Sequence, residues 1–165
     1  FGRAGARVSI HDPNGVAAIF TYSEKLGKDA QGNDIPDGTE CDFELVRRNG
    51  GLAWQLGLHQ FTNGQRRNPV AGRTIFVPVT VASLAEEHEY DIDYQPTYVA
   101  YLIDGREVGR YTLADMPAGT TWQDRARFDF FVGTYPHTGW SGFSSADIAA
   151  PTTRMEVKGI RVPGL

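Results

Sequence analysis

Only one cysteine, Cys41, occurs in the 165 residues, so no disulfide can close within the chain. Its neighbours read as a buried strand, and free cysteine packs mostly as a small hydrophobe, so a structural thiol is expected. A basic excess is also lacking. Sixteen Lys and Arg stand against 20 Asp and Glu, for a formal net charge of −4. That excludes nucleic acid as the main partner, because a phosphate-binding surface needs clustered cations. The basic doublets are Arg47-Arg48 and Arg66-Arg67. No stretch approaches the roughly 18 apolar residues of a membrane-spanning helix, so no membrane partner is expected. There is no Asn-x-Ser/Thr site, no phosphate-binding or dinucleotide glycine motif and no nucleophilic-serine motif. The four histidines, His11, His59, His88 and His137, lack zinc spacing, so none is assigned to a metal.

Helical periodicity is nearly absent as well. What is present is a series of short alternating runs separated by Gly, Pro, Asn and Asp, the pattern of an all-β sandwich or barrel. Strands are expected at Ala4–Ile10, Val16–Tyr22, Thr39–Arg47, Leu52–Phe61, Thr74–Val81, His88–Tyr94, Tyr98–Ile103, Arg106–Tyr111, Ala126–Val132 and Met155–Val162. Turns are expected at His11–Gly15, Arg48–Gly51, Asn63-Gly64 and Asp104-Gly105, the last a strong hairpin signal. Leu113–Met116 reads as one helical turn. Glu24–Gly38 and Gly133–Pro151 read as loops. No repeat or linker divides the chain, so one domain over 1–165 is expected.

The sharpest feature is Thr39-Glu40-Cys41-Asp42-Phe43-Glu44-Leu45. Side chains alternate along a strand, so Glu40, Asp42 and Glu44 share one face while Cys41, Phe43 and Leu45 share the other. Two readings follow. An antiparallel strand with one wet face carries acids there as a matter of course, and His88–Tyr94 alternates in the same way. Alternatively, three carboxylates in a row repel one another, so at least one holds its proton to higher pH. Glycoside hydrolysis needs that mixture of an ionised and a protonated carboxyl group.

The rest of the chain bears on the choice. Glu40-Cys41-Asp42-Phe43-Glu44 resembles the Glu-x-Asp-x-Glu strand of glycoside hydrolase family 16, in the unbulged form of its lichenases and xyloglucan transglycosylases. Other segments resemble that family in the same order: Phe1-Gly2-Arg3 with Arg7–Ile10, Phe20-Thr21-Tyr22, Phe61-Thr62-Asn63-Gly64, Tyr90–Pro96, Val99–Gly105, Trp140-Ser141-Gly142 and Val157–Val162. The resemblance implies a jelly-roll β-sandwich of two curved antiparallel sheets, with a sugar-binding cleft on the concave face. It implies a retaining mechanism with Glu40 as nucleophile, Glu44 as acid/base and Asp42 tuning their charge. The face argument alone does not order the two glutamates.

Departures from the family locate further candidates. Gly38 stands where lichenases carry a Trp, and His59 where they carry a cleft Asn. Tyr94 and Tyr101 replace Trp, and Asp129 and Phe131 stand near positions that are often Asn and Trp. Substrate contacts are therefore expected from His59, Phe61, Tyr94, Asp129, Phe131 and Trp140. For His59 the other reading is a surface histidine, and for Trp140 loop packing beside Tyr135 and His137. Trp54 is expected in the core. No cofactor is required. Asp29, Asn33, Asp34 and Asp37 do not follow the order of an EF-hand but leave room for a structural calcium.

The expected function is a retaining endo-glycosidase acting on a β-linked polysaccharide, β-1,3-1,4-glucan first. The alternatives are a non-catalytic carbohydrate-binding or structural module of the same fold, and a transglycosylase or galactan hydrolase of the family. Such a substrate implies secretion. The family carries further strands ahead of the segment like Phe1-Gly2-Arg3. The resemblance therefore implies a partial chain or strands supplied by another segment, and otherwise a monomer.

Overall fold

The computed structural model describes residues 2–62, 64–120, 122, 128–150 and 152–162. Among these residues eleven strands follow in order: β1 Gly2–His11, β2 Val16–Lys28, β3 Asp34–Arg48, β4 Gly51–Thr62, β5 Gln65–Arg67, β6 Ile75–Val79, β7 His88–Tyr94, β8 Tyr98–Ile103, β9 Arg106–Thr112, β10 Asp129–Tyr135 and β11 Arg154–Arg161. They form two antiparallel sheets, as the alternating pattern predicts. One has five strands in the order β11-β1-β7-β8-β9. The other has six, β10-β2-β3-β4-β5, with β6 also paired to β4.

The core lies between the sheets and is filled from alternate positions. Cys41, Phe43 and Leu45 of β3 and Trp54, Leu56 and Leu58 of β4 meet Tyr90, Ile92 and Tyr94 of β7. Phe43 is central, edge-on to Trp54, Tyr90 and Tyr101 at centroid distances of 5.8, 5.5 and 5.3 Å. Such pairs contribute about 0.5–1.5 kcal/mol each beyond the area they bury. Cys41 is fully buried, and burial pushes its thiol well above the usual range, as suits a structural role. Trp54 is likewise in the core.

Two hairpins follow their turn residues closely. Asn49 and Gly50 have φ of 50° and 79° between the paired Arg48 and Gly51. Asp104 and Gly105 have φ of 51° and 77° between Ile103 and Arg106. Positive φ at both central residues is the two-residue turn whose twist matches the flanking strands. Of the expected turn at Asn63-Gly64, Asn63 lies outside the described residues, but Thr62 pairs with Gln65 across it. Phe1 also lies outside them.

Glu24–Gly38 is not a loop. The β2–β3 ladder continues outward from the Glu24–Gly38 pair to Lys28–Asp34. A ladder beyond the packed core needs no apolar alternation, so its Gly and Pro content misreads as loop. Its tip is closed by Asp29, whose Oδ1 accepts from the Gln31 and Asn33 amides at 2.9 and 2.8 Å. Asp34 pairs with Lys28. Two of the four oxygens considered for calcium thus serve the hairpin itself.

Gly133–Tyr135 belongs to β10, which ends the strand later than Val132. Residues 126 and 127 of the strand expected at Ala126–Val132 lie outside the described residues. Two helices, α1 Val81–Ala85 and α2 Ser145–Ala149, were hidden by their length of five residues each. They are legible only as caps: Thr80 Oγ1 accepts from the Ser83 amide, and Ser144 with Asp147 forms a capping box.

On the outer face of the five-stranded sheet, Asp91 is fully buried beneath two arginines, Arg3 of β1 and Arg161 of β11, both donating to its carboxylate. Gly5 lies between, paired with Asp91 on one side and Arg161 on the other. A Cβ there would come within 2.0 Å of Asp91 Oδ1. This clip ties three strands together. Removing both arginines leaves a buried, uncompensated carboxylate, so Arg3→Met with Arg161→Met should cost about 3 kcal/mol in urea unfolding, more than Asp91→Asn. Equal losses would mean that the ion pairs contribute nothing beyond packing.

Candidate active site

The outer face of the six-stranded sheet is a grid fixed by strand register. Along β3 it shows Glu40, Asp42 and Glu44. Their partners on β2 are Tyr22, Phe20 and Ala18, and on β4 His59, Gly57 and Gln55. Beyond β2, strand β10 adds Asp129, Phe131 and Gly133, followed by Tyr135. Directly paired residues in an antiparallel ladder point the same way. The three carboxylates therefore share a surface, and all three line one depression with Ala18, Phe20 and Tyr135.

The ends of the acid row differ. At the Glu40 end, His59 Nε2 stands 3.8 Å from Glu40 Oε1, and the Arg66 guanidinium also lies 3.8 Å away. Burial raises the Glu40 carboxyl and Asp42 adds to it, while His59 and Arg66 pull it down; the balance is above the usual value. At the other end, Tyr135 donates its hydroxyl proton to Glu44 Oε1 at 2.9 Å. Among the described residues, no cation lies within ion-pair distance of Glu44. Burial and then the Asp42 charge push its carboxyl up to about 7, against the pull of the Tyr135 hydrogen bond.

Asp42 sits between them, 2% exposed. Gly57 makes room for it, since a Cβ at Gly57 would lie 2.3 Å from Asp42 Oδ2. That oxygen makes an ion-pair contact with His59 Nε2 at 3.2 Å, and no other group among the described residues satisfies it. The His59 ring is held from behind, its Nδ1 2.7 Å from Asn68 Oδ1. Burial works against a charged His59 ring, but Asp42 outweighs it and the ring's pKa is raised. Glu40, Asp42 and His59 present ligand atoms all within 4.8 Å of one another, the one grouping among the described residues able to hold a metal ion.

The expected substrate contacts divide. His59 faces the acids. Phe131 is 43% exposed and stacks on Phe20 at 4.8 Å, flanking the row on the β2 side. Asp129 lies on the same face at the β10 edge, and Phe61 continues the β4 row past His59. Trp140 is 49% exposed and reaches the site through a line of rings, resting on His137 at 4.8 Å, which meets Tyr135 at 6.5 Å. Tyr94 must be corrected. It is 2% exposed in the core, against Trp122 and Phe128, and accepts from Gln60 Nε2 at 3.3 Å. Strand parity puts it with Tyr90 and Ile92 on the inner face of β7. Tyr101 is buried too, and donates to the Gly57 carbonyl.

Sequence reasoning missed Tyr135, Phe20, Gly57 and Asn68 as parts of the site. Gly57, Phe20 and Tyr135 become visible only when the registers of β2, β4 and β10 against β3 are known. Tyr135 was also hidden in a segment read as loop.

A family model described as glycosyl hydrolases family 16 matches residues 1–148. A curated xylanase/beta-glucanase from Ruminococcus flavefaciens is 31% identical over 102 residues, 62% of this chain and 11% of that protein. A solved β-1,3-1,4-glucanase (lichenase) from a mouse hindgut metagenome is 21% identical with a TM-score of 0.57, covering 94% of this chain and 62% of that one. The Crh5 transglycosylase in complex with NAG is also 21% identical, with a TM-score of 0.65 over 97% of this chain and 62% of that one. At these identities the structures share the fold. The chain spans about a tenth of the curated relative and less than two thirds of either solved chain.

The acid row should weaken the fold at neutral pH. The folded Glu44 carboxyl at about 7 lies above its ordinary 4.5. Between those values the unfolded chain binds fewer protons than the folded one, so stability falls as pH rises through that window. Glu44→Gln should therefore stabilise the protein at pH 8 by about 2 kcal/mol after allowance for solvent screening, and change little at pH 4. Thermal unfolding at the two pH values reads this, and an equal effect at both would rule out the strained carboxyl.

Proposed function

The chain belongs to glycoside hydrolase family 16, and from that premise we propose that it is the catalytic part of a retaining endo-glycosidase of β-linked polysaccharides, with β-1,3-1,4-glucan the first candidate. The carrying observation is the unequal setting of two glutamates on one strand face. Glu40 has an imidazole and a guanidinium at 3.8 Å, which favour its ionised form. Glu44 has a tyrosine hydroxyl and a carboxyl near 7, which keeps a large protonated fraction at neutral pH. These are the properties of a nucleophile and of a general acid.

In this reading Glu40 attacks the anomeric carbon while Glu44 gives its proton to the departing glycosidic oxygen. A glycosyl ester forms on Glu40. Glu44, now ionised, takes a proton from water, which attacks the anomeric carbon, breaks its bond to the Glu40 oxygen and releases Glu40 as carboxylate. Asp42, buried between them, raises both neighbours by its charge. At Glu44 this influence is opposed by the Tyr135 hydroxyl and, from beyond ion-pair distance, by His59, whereas at Glu40 it is offset by His59 and Arg66 at 3.8 Å. Exposed Phe131 and Trp140 offer apolar ring faces to sugars beside and beyond the acids. Large polysaccharides are met outside the cell, so secretion is part of this proposal.

Reducing-end release from mixed-linkage glucan, laminarin, xyloglucan, agarose and carrageenan tests the reading. One of these should be cleaved, with Glu40→Gln inactive and Glu44→Gln slowed roughly 10²–10⁴-fold. An aryl glycoside whose leaving group needs no proton should largely spare Glu44→Gln but not Glu40→Gln. No release by folded protein from any glycan would reject the hydrolase, and longer products would identify a transglycosylase.

The pH profile gives a second test. Activity needs the acid form of Glu44, so kcat/KM should fall as pH rises through about 7. The Tyr135 hydrogen bond stabilises the ionised form, so Tyr135→Phe should move that alkaline limb to higher pH. An unmoved limb, or one shifted down, would take the general-acid role away from Glu44.

A further inference from the structure

We propose that Glu40, Asp42 and His59 form a binding site for a divalent ion of the zinc class, and that the ion competes with sugar for the catalytic face. The competition rests on the glycosidase reading; the metal site does not. A tetrahedral ion bound to nitrogen and oxygen at about 2.0–2.2 Å holds its ligand atoms roughly 3.3–3.5 Å apart. His59 Nε2 lies 3.2 Å from Asp42 Oδ2 and 3.8 Å from Glu40 Oε1, and all three ligand atoms fall within 4.8 Å. Rotation of the longer, partly exposed Glu40 side chain closes the remaining gap.

An independent observation points to a ligand. Asp42 is 2% exposed, and its Oδ2, aimed into the cluster, has the His59 Nε2 at 3.2 Å and no other group among the described residues to satisfy it. A buried carboxylate oxygen with one long, poorly aligned contact is costly, and a cation shared between it and the imidazole would satisfy both. His59 is also set for this role. Its Nδ1 against Asn68 Oδ1 at 2.7 Å directs Nε2 at the two carboxylates. Metal-bound histidines are held in this way, with the far nitrogen on a carbonyl or carboxylate. One imidazole and two carboxylates suit zinc better than calcium or magnesium, which need more oxygen ligands. Three protein ligands leave a fourth position for water, on the face where the sugar would sit. Arg66, 3.8 Å from Glu40, opposes the ion by charge; its side chain is 52% exposed and free to swing into solvent.

Cobalt titration of the purified protein tests the site. Co2+ should give the intense visible absorption of tetrahedral coordination, saturating at one equivalent and lost on adding Zn2+. Excess Ca2+ or Mg2+ should not displace it. His59→Gln should abolish the signal, Asn68→Ala should weaken binding at least about tenfold, and Arg66→Gln should tighten it. Circular dichroism of each variant establishes that it is folded. No absorption in the wild-type protein, or absorption that folded His59→Gln retains, overturns the site. In the active protein Zn2+ should suppress glycan cleavage and a chelator should restore it. Binding at this site without suppression overturns the competition. Cobalt bound as described by a protein that cleaves no glycan at all would sink the glycosidase reading and leave the metal site standing.

Discussion

Three carboxylates on one face of β3, with the core packed against the other, are the constraint on which the arrangement around them depends. Like charges so close are unfavourable, and partial burial makes them more so. The neighbours reduce the conflict in different ways. Gly57 and Ala18 are small enough to leave the acids room. His59 and Arg66 bring positive charge to one end, and Tyr135 brings a hydroxyl to the other. What remains is a strained middle, where Asp42 Oδ2 is buried with only the His59 imidazole, 3.2 Å away, to satisfy it among the described residues. Strain of this kind is held at functional sites by structure that is stable elsewhere.

The stable part is on the reverse of the same strand. Phe43 is the neighbour in sequence of both Asp42 and Glu44, and its ring is enclosed by Trp54, Tyr90 and Tyr101. The core holds β3 rigid, so the acids cannot relieve their repulsion by moving the backbone. The far sheet reaches through as well. Tyr101 donates to the Gly57 carbonyl, and Tyr111 to that of Leu56 at 2.9 Å. These bonds fall where β4 passes between its β6 pairing, which ends at Leu56, and its β5 pairing, which begins at Gln60. Tyrosines at family tryptophan positions thus do not line the cleft; Tyr101 anchors the strand that carries Gly57 and His59.

The same gap shapes the site sideways. Residues 68–74 leave the sheet between β5 and β6, and Asn68 returns to hold His59. Gln55, Gly57 and His59 of β4 line a hollow there with Asn68, Thr74 and Phe76. Arg48 lies over the Phe76 ring at 3.7 Å, so one of the basic doublets contributes a stacked cation to this flank. Arg47, its neighbour, points to the other side of β3 and pairs with Asp147 beside Phe143.

Much of this was legible in the sequence because a strand has a period of two. That period assigned Glu40, Asp42 and Glu44 to one face and Cys41, Phe43 and Leu45 to the other, and turn residues at Arg48–Gly51 and Asp104-Gly105 marked two chain reversals. The same rule, applied to β7, would have put Tyr94 in the core; position in a family pattern pointed the other way, and parity prevailed. Short helices and the polar β2–β3 extension escaped because neither buries enough apolar surface to leave a period. Strand parity could not tell the two glutamates apart; in the sequence only the family resemblance gave them an order. Both have the same local chemistry, and their difference comes from residues distant in the chain: His59 and Arg66 beside one, Tyr135 beside the other. Local sequence determines which way a side chain points, because that follows from backbone geometry. Which charges and hydroxyls it then meets depends on inter-strand register, and only the assembled sheets decide that.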